Sequence, residues 1–238
     1  AGVLTFGWGV EKMRASLVSM TGYMWLSLLK GVFFTFMRIT AAVVVGSLWA
    51  VPLGVFIGTN PKWTNRLQPI VQIVASFPAP MLFPIIIWAL SRLGIGIEIG
   101  ATVLMLFASQ WYILFNVIAG ATLIPQDMIE LGELFRVRGL HTWRAILLPA
   151  IFPSLVNGWI TAAGGAWNAS IVAEYLKIGN TTLVATGIGS AITHAADTAN
   201  FPLLAGGVLM MVTAVVLLNR FFWNNLYKLA DRKYRLEY

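Results

Sequence analysis

Five stretches of this 238-residue chain, each about 20 residues or longer, contain no Lys, Arg, Asp or Glu. They are Ile39–Thr59, Leu67–Ser91, Ile99–Gln126, Ala145–Ala173 and Thr198–Asn219, and the first extends back past Arg38 to Val32. Apolar runs of this length match the hydrocarbon core of a bilayer when coiled into helices. Lipid offers no water to the backbone, so each run must satisfy its own N–H and C=O groups and be mainly helical. The runs therefore specify an all-α fold: a polytopic membrane helix bundle of about five transmembrane helices. Charged residues make up 11% of the chain, against about 25% in a soluble domain, so much of the surface faces something other than water. The length leaves room for these spans and their connections, and none for an added soluble enzymatic domain. The net charge of +7 fits basic residues anchoring loops at a membrane better than it fits a nucleic-acid partner. With no cysteine, disulfides, thiolate catalysis and thiolate metal sites are excluded.

Lys and Arg set an orientation. One side of the bundle collects ten of them, in the Asn60–Arg66 loop, the 126–144 loop and the tail from Asn219. The other side collects five: Lys12, Arg14, Lys30, Arg92 and Lys177. The richer side is expected in the cytoplasm, with the N-terminus of this chain outside and its C-terminus inside. Residues 1–31 are expected to form an outer interfacial amphipathic segment, 32–226 the transmembrane domain, and 227–238 a cytoplasmic basic tail. The first residue is Ala1 with no basic region ahead of its apolar part, so the start does not read as a signal peptide; a processed product and a piece of a longer polypeptide both fit.

The second run holds Pro69, Pro78, Pro80 and Pro84, which predicts a bend or break near Ser76–Pro80. Either this segment walls a transport pathway or it is a kinked packing helix. Gly54-x-x-x-Gly58, Gly164-Gly165 and Gly206-Gly207 read as close helix packing.

The most charged internal stretch is IPQDMIELGELFRVRGLHTWRAILLPAIFPSL, between the third and fourth runs. Asp127 and Glu130 suit a helix start, Ile129, Leu134 and Val137 give it an apolar face, and Gly139 ends it. A second helix then leads from His141 into the membrane near Pro149. A short amphipathic helix across the mouth of a bundle is either a connector or a docking element for a partner's groove. Counted back from Pro149, the stretch resembles the cytoplasmic signature of binding-protein-dependent ABC permeases: Glu-Ala-Ala, a Gly three residues on, then Ile-x-Leu-Pro. Glu130 sits at the Glu position, and Ile146, Leu148 and Pro149 match the end. Leu131 and Gly132 stand for the two alanines and Arg136 for the glycine, with Gly139 three residues later. PLGVFIGTNPKWTNRLQPIVQIVASFPAPMLFPIIIWAL is similar to the first two core spans of the nitrate/sulfonate/taurine/bicarbonate branch. WYILFNVIAGATLIP, AGGAWNASIVAEYL and NRFFWNNLYKLADRKYRLEY resemble the C-terminal half of fused, double-length permeases in that branch.

The resemblance implies a type I ABC importer. Two permease units, as a homodimer or as fused halves, would form the pathway. Two cytosolic ABC ATPase subunits would clamp the coupling loop, and an external substrate-binding protein, periplasmic or lipid-anchored, would deliver a small anion such as nitrate, a sulfonate or bicarbonate. The chain lies in membrane lipid, expected to be the bacterial cytoplasmic (inner) membrane. It contains no Gly-Lys dipeptide and so no P-loop; ATP and Mg belong to the partner subunits, and this chain is expected to hold no cofactor, catalytic residue or metal of its own. The ATPase-coupling residues implied are Glu130, Leu134, Arg136, Gly139, Ile146, Leu148 and Pro149.

Candidate pathway residues come from polarity inside the runs: Arg38, Ser76, Gln110, Asn116, Asn168 and Glu174. Arg38 is the one basic residue within a span; it either snorkels, pairs structurally, or contacts an anionic substrate. Polar side chains such as Gln110, Asn116, Asn157, Asn168 and Ser170 either join helices or line the route. Two other function classes are weighed. An ion-coupled transporter or channel needs ionisable groups inside the runs, and only Arg38 lies near one. A membrane enzyme needs a catalytic constellation at membrane depth, and no acid or histidine lies inside a run.

Overall fold

The computed structural model describes Glu11, Arg14 and residues 16–234, apart from the side chains of Glu133, Lys233 and Tyr234. The expectation for residues 1–10 and for the last four residues lies outside the described residues. Helix α1 runs from Gly22 to Gly58. At 1.5 Å per residue it is about 55 Å long, well beyond a hydrocarbon core of about 30 Å. It passes through residue 31 without interruption, so from Gly22 onward the expected interfacial segment and the first span share one helix. Lys30 ends the charge-free run but not the helix, because one exposed lysine carries its charge away on a flexible apolar stem.

The second run is two helices, α2 (Pro61–Ser76) and α3 (Ala79–Arg92), bent by 79°. Asn60 caps α2 by accepting from the Lys62 N–H at 3.0 Å, and Pro61 fills the first turn, where its missing donor costs nothing. Phe77, before Pro78, is held extended (φ −69°, ψ 128°), so the helix stops where the sequence predicts. Helices α4 (Ile97–Thr122), α5 (Gln126–Leu134) and α6 (Leu140–Ala173) follow. A π-helical turn at Trp143–Leu147 sits just ahead of Pro149 in α6. Proline has no N–H for the carbonyl four residues back and crowds it, and the wider turn relieves that conflict. A β-hairpin not anticipated from the sequence comes next: β1 (Tyr175–Ile178) pairs antiparallel with β2 (Thr181–Val184), Tyr175 opposite Val184. The chain continues through α7 (Ile188–Asp197), α8 (Phe201–Leu218), a π-turn at Asn219–Trp223, and α9 (Asn224–Tyr234). Among the described residues, four helical segments can cross a membrane by length and apolarity, and the bent α2–α3 pair makes up to five.

The chain divides into two compact units, with α1, α4 and α6 each contributing to both. In the first (residues 1–40, 80–105 and 167–217), Gly206 and Gly207 of α8 fit against Met20, Leu28 and Ile192. In the second (41–79, 106–166 and 218–238), Gly54 and Gly58 of α1 meet Val117, Ile118 and Ala121 of α4. A Cβ at Gly58 would lie 2.6 Å from the Ile118 carbonyl oxygen, so the PLG-x-x-x-G spacing serves close backbone approach.

Candidate functional site

The segment expected to be the coupling loop is built from α5 and the turn after it. Helix α5 begins at Gln126 with Asp127 in its first turn, where a negative charge favours the helix dipole. It ends at Leu134. Arg136 has φ 55°, and the Val137 N–H returns to the Gly132 carbonyl at 2.8 Å. A left-handed residue with this six-to-one hydrogen bond closes a helix C-terminus, normally on glycine. Arg136, expected from the resemblance to replace a glycine, thus holds the conformation that glycine favours. Gly139, also left-handed at φ 60°, makes a second turn into α6. The expected apolar face divides. Ile129 and Val137 line a recess of about 430 Å³ with Gly132, Arg138, Gly139 and Thr142, while Leu134 is 78% exposed. Five residues separate Ile129 from Leu134, which places them on different sides of a helix. Leu131, Phe135 and Leu140 are also exposed, and so is Glu130. Ile146 is half-buried against Gly132, where a Cβ would come within 2.6 Å of its Cδ1; Leu148 is exposed and Pro149 half-buried.

In the first unit the structure brings Arg38 and Glu174 together and adds Glu98, which the sequence reading did not name. Glu174 is fully buried at the end of α6. Its Oε1 accepts from Arg38 Nη1 (2.9 Å) and the Thr35 hydroxyl (2.7 Å), and its Oε2 from the N–H groups of Gly189 (2.9 Å) and Ser190 (3.4 Å). The carboxylate therefore caps the N-terminus of α7 while pairing with α1. Arg38 also donates to the carbonyls of Thr186 (2.7 Å) and Glu98 (3.2 Å) and to the Glu98 carboxylate. Four of its five N–H groups are committed. Gly187 cannot be replaced without contact, because a Cβ there would fall on the Glu174 carboxylate. Beside this knot, Lys177 on β1 pairs with Asp197 of α7 at 2.6 Å. That contact holds the Asp197 carboxyl below its ordinary range and the Lys177 ammonium above its own.

The remaining candidates lie apart from these two regions. Gln110 is buried on α4 and accepts from Trp49 Nε1 at 3.1 Å. Asn116 donates to the Tyr112 carbonyl (2.8 Å) and accepts from Asn157 of α6 (3.3 Å). Ser76 is the last residue of α2, at the bend, and bonds back to Ile73. Asn168 is exposed on α6.

Comparison with known proteins follows the same outline. The family described as binding-protein-dependent transport system inner membrane component matches residues 50–236. The bicarbonate transport system permease protein CmpB of Synechocystis sp. is 28% identical over 142 residues, 60% of this chain and 49% of that protein. The nitrate import permease protein NrtB of the same organism is 29% identical over 137 residues, 58% of this chain and 47% of that protein. This chain spans about half the length of these curated relatives. A chain of the inward-facing MetNI methionine ABC transporter superposes with a TM-score of 0.70 at 22% identity, over 89% of this chain and 99% of that one, which shows a shared fold. With the match covering most of its length, from the end of α1 to the tail, this chain belongs to the family of binding-protein-dependent transport system inner membrane components.

Proposed function

We propose that this chain is the transmembrane permease subunit of an ABC importer, forming the translocation pathway for a small solute by alternating access driven by separate ATPase subunits. The carrying observation is the coupling loop: Leu131, Leu134 and Phe135 stand exposed on a short helix in the most charged internal segment of a membrane chain. Exposed apolar side chains on a polar loop fit a protein groove rather than water. Two cytosolic ATPase subunits, using ATP and Mg, are the partners that the family implies, with a second permease unit, separate or fused, and an external substrate-binding protein. The coupling loop and α9 then lie in the cytoplasm of a bacterial inner membrane, and the hairpin with α7 faces outward. The relatives' names favour nitrate or bicarbonate as the kind of cargo. The ionisable groups that an ion-coupled transporter would need, Arg38 and Glu174, are spent on each other, which weighs against that reading.

The test is co-purification in gentle detergent followed by uptake. The wild-type chain should bring a stoichiometric ATPase subunit. Glu130→Lys and Leu134→Pro should leave the chain inserted and abolish both ATPase retention and uptake. If both variants keep them, the loop is not the coupling element.

A further inference from the structure

Two kinds of contact meet at the start of α7. Helices α1 and α6 reach it by close backbone approach. A Cβ at Gly31 of α1 would lie 2.9 Å from the Ile188 nitrogen, and one at Gly189 would lie 2.4 Å from the Ser170 carbonyl oxygen of α6. The Ile188 N–H donates to the Thr35 hydroxyl at 3.0 Å, and that hydroxyl donates in turn to Glu174. With no slack between their backbones and Glu174 buried among them, α1, α6 and the start of α7 pack as one body. Helix α4 joins that body through one residue at its own start. Glu98 Oε1 accepts from the Thr186 N–H (3.0 Å) and hydroxyl (3.1 Å). Its Oε2 accepts from Arg38 Nη2, and its carbonyl from Arg38 Nε (3.2 Å). The link ahead of α4 carries Gly94 and Gly96, where an added Cβ would meet nothing within 4 Å. Such a link can absorb a change in backbone angle.

We propose that Glu98 is a latch at the outer end of this chain: its contacts with Thr186 and Arg38 close that end, and the start of α4 parts from the α1–α6–α7 body there when the importer opens outward. The assignment rests on the permease reading above, because alternating access requires an outer end that opens. A packed structure parts along the line that orphans the fewest buried polar groups. Parting at Glu98 hands its carboxylate and the Thr186 N–H and hydroxyl to water. Arg38 keeps Glu174 and the Thr186 carbonyl as partners. Parting at Glu174 instead would strand a buried carboxylate and the N–H groups of Gly189 and Ser190. One arginine thus has a permanent acid, Glu174, and a releasable one, Glu98.

The chain has no cysteine, so an introduced pair can be joined specifically. Glu98→Cys with Thr186→Cys, in membrane vesicles holding the assembled transporter, is bridged by a short bis-methanethiosulfonate, and ATP hydrolysis is measured. The short bridge should cut turnover at least about tenfold, and reductant should restore it. A long, flexible bridge at the same positions should leave turnover within about twofold of the unbridged pair. Full turnover under the short bridge, or equal loss under both bridges, would overturn the proposal. Glu98→Gln needs no bridge and decides the matter if the cysteine pair does not assemble. It should raise turnover at least about threefold, because opening loses a restraint, while the thermal midpoint moves little. Unchanged or lower turnover would overturn the latch, since a merely structural residue moves the midpoint and not the cycle. A wild-type chain that retains no ATPase would overturn the permease reading, and the latch with it.

Discussion

The Arg38–Glu174 knot and the coupling loop invert the usual sorting of side chains in opposite ways. The knot buries charge: Glu174 is 0% and Arg38 7% exposed. The loop exposes grease: Leu134 and Phe135 are each 78% exposed. Buried polar groups and exposed apolar ones are the informative departures in a fold. The knot is closed. Every acceptor position on Glu174 faces a donor, and the pair ties α1 to the start of α7. The loop is open. Leu131, Leu134 and Phe135 stand exposed among the described residues, and its turn holds a non-glycine residue, Arg136, at positive φ. The difference separates polarity satisfied within the chain from apolar surface left exposed on it, the surface proposed above for a partner.

The largest effect tests the closed region. Glu174→Ala strands the Gly189 and Ser190 N–H groups and removes the main counter-charge of Arg38. It should destabilise the chain by on the order of 3 kcal/mol, read as a lower thermal midpoint in detergent. Glu98→Gln should cost about 1 kcal/mol or less, because Glu98 is 54% exposed and Glu174 still holds Arg38. Equal losses would mean that the pair is not the centre of the knot.

The next tests the open region. Leu134→Asp should leave the thermal midpoint unchanged and weaken ATPase binding by roughly 2 kcal/mol, about thirtyfold, measured by titrating the ATPase onto the chain in nanodiscs. Smaller still is Arg136→Gly, which removes the side chain that resists left-handed backbone and adds chain entropy to the unfolded state. It should stabilise the turn by about 0.5 kcal/mol, seen as roughly twofold slower hydrogen exchange at Val137.

The smallest effect concerns Lys177 and Asp197. The lowered Asp197 carboxyl contributes stability above its ordinary 3.8 and loses it as pH falls through the lowered value. The raised Lys177 ammonium contributes below its ordinary 10.5 and loses it as pH rises through the raised value. The contribution of the Lys177–Asp197 pair should therefore be flat from about pH 5 to pH 9, read as the difference in exchange at Thr182 between the wild type and Lys177→Met.

The spans were legible because lipid leaves the backbone so few solutions, and the α2–α3 break because Pro78 dictates the conformation of Phe77. The short helix α5 between the third and fourth runs was legible from its charge and from Asp127 at its start. Less was visible where geometry depends on distant partners. Arg38 was open to snorkelling, a structural pair or an anionic substrate, and nothing within its span pointed to Glu98 and Glu174 holding it from two elements. The hairpin has a signal, YLKI and TTLV around a Gly179–Asn180 turn, but its strands are far shorter than a membrane-spanning run. Leu134 looked like part of one apolar face with Ile129 until the left-handed turn at Arg136 carried Val137 back beside Ile129.

The most direct test compares Glu174→Ala and Leu134→Asp in one experiment, scoring the thermal midpoint and the ATPase bound per folded chain. The account predicts a crossover: Glu174→Ala lowers the midpoint while its folded fraction still binds ATPase, and Leu134→Asp binds little ATPase at an unchanged midpoint. If Leu134→Asp keeps wild-type ATPase binding, or if its midpoint falls as far as that of Glu174→Ala, the division between a closed structural knot and an open coupling loop is wrong.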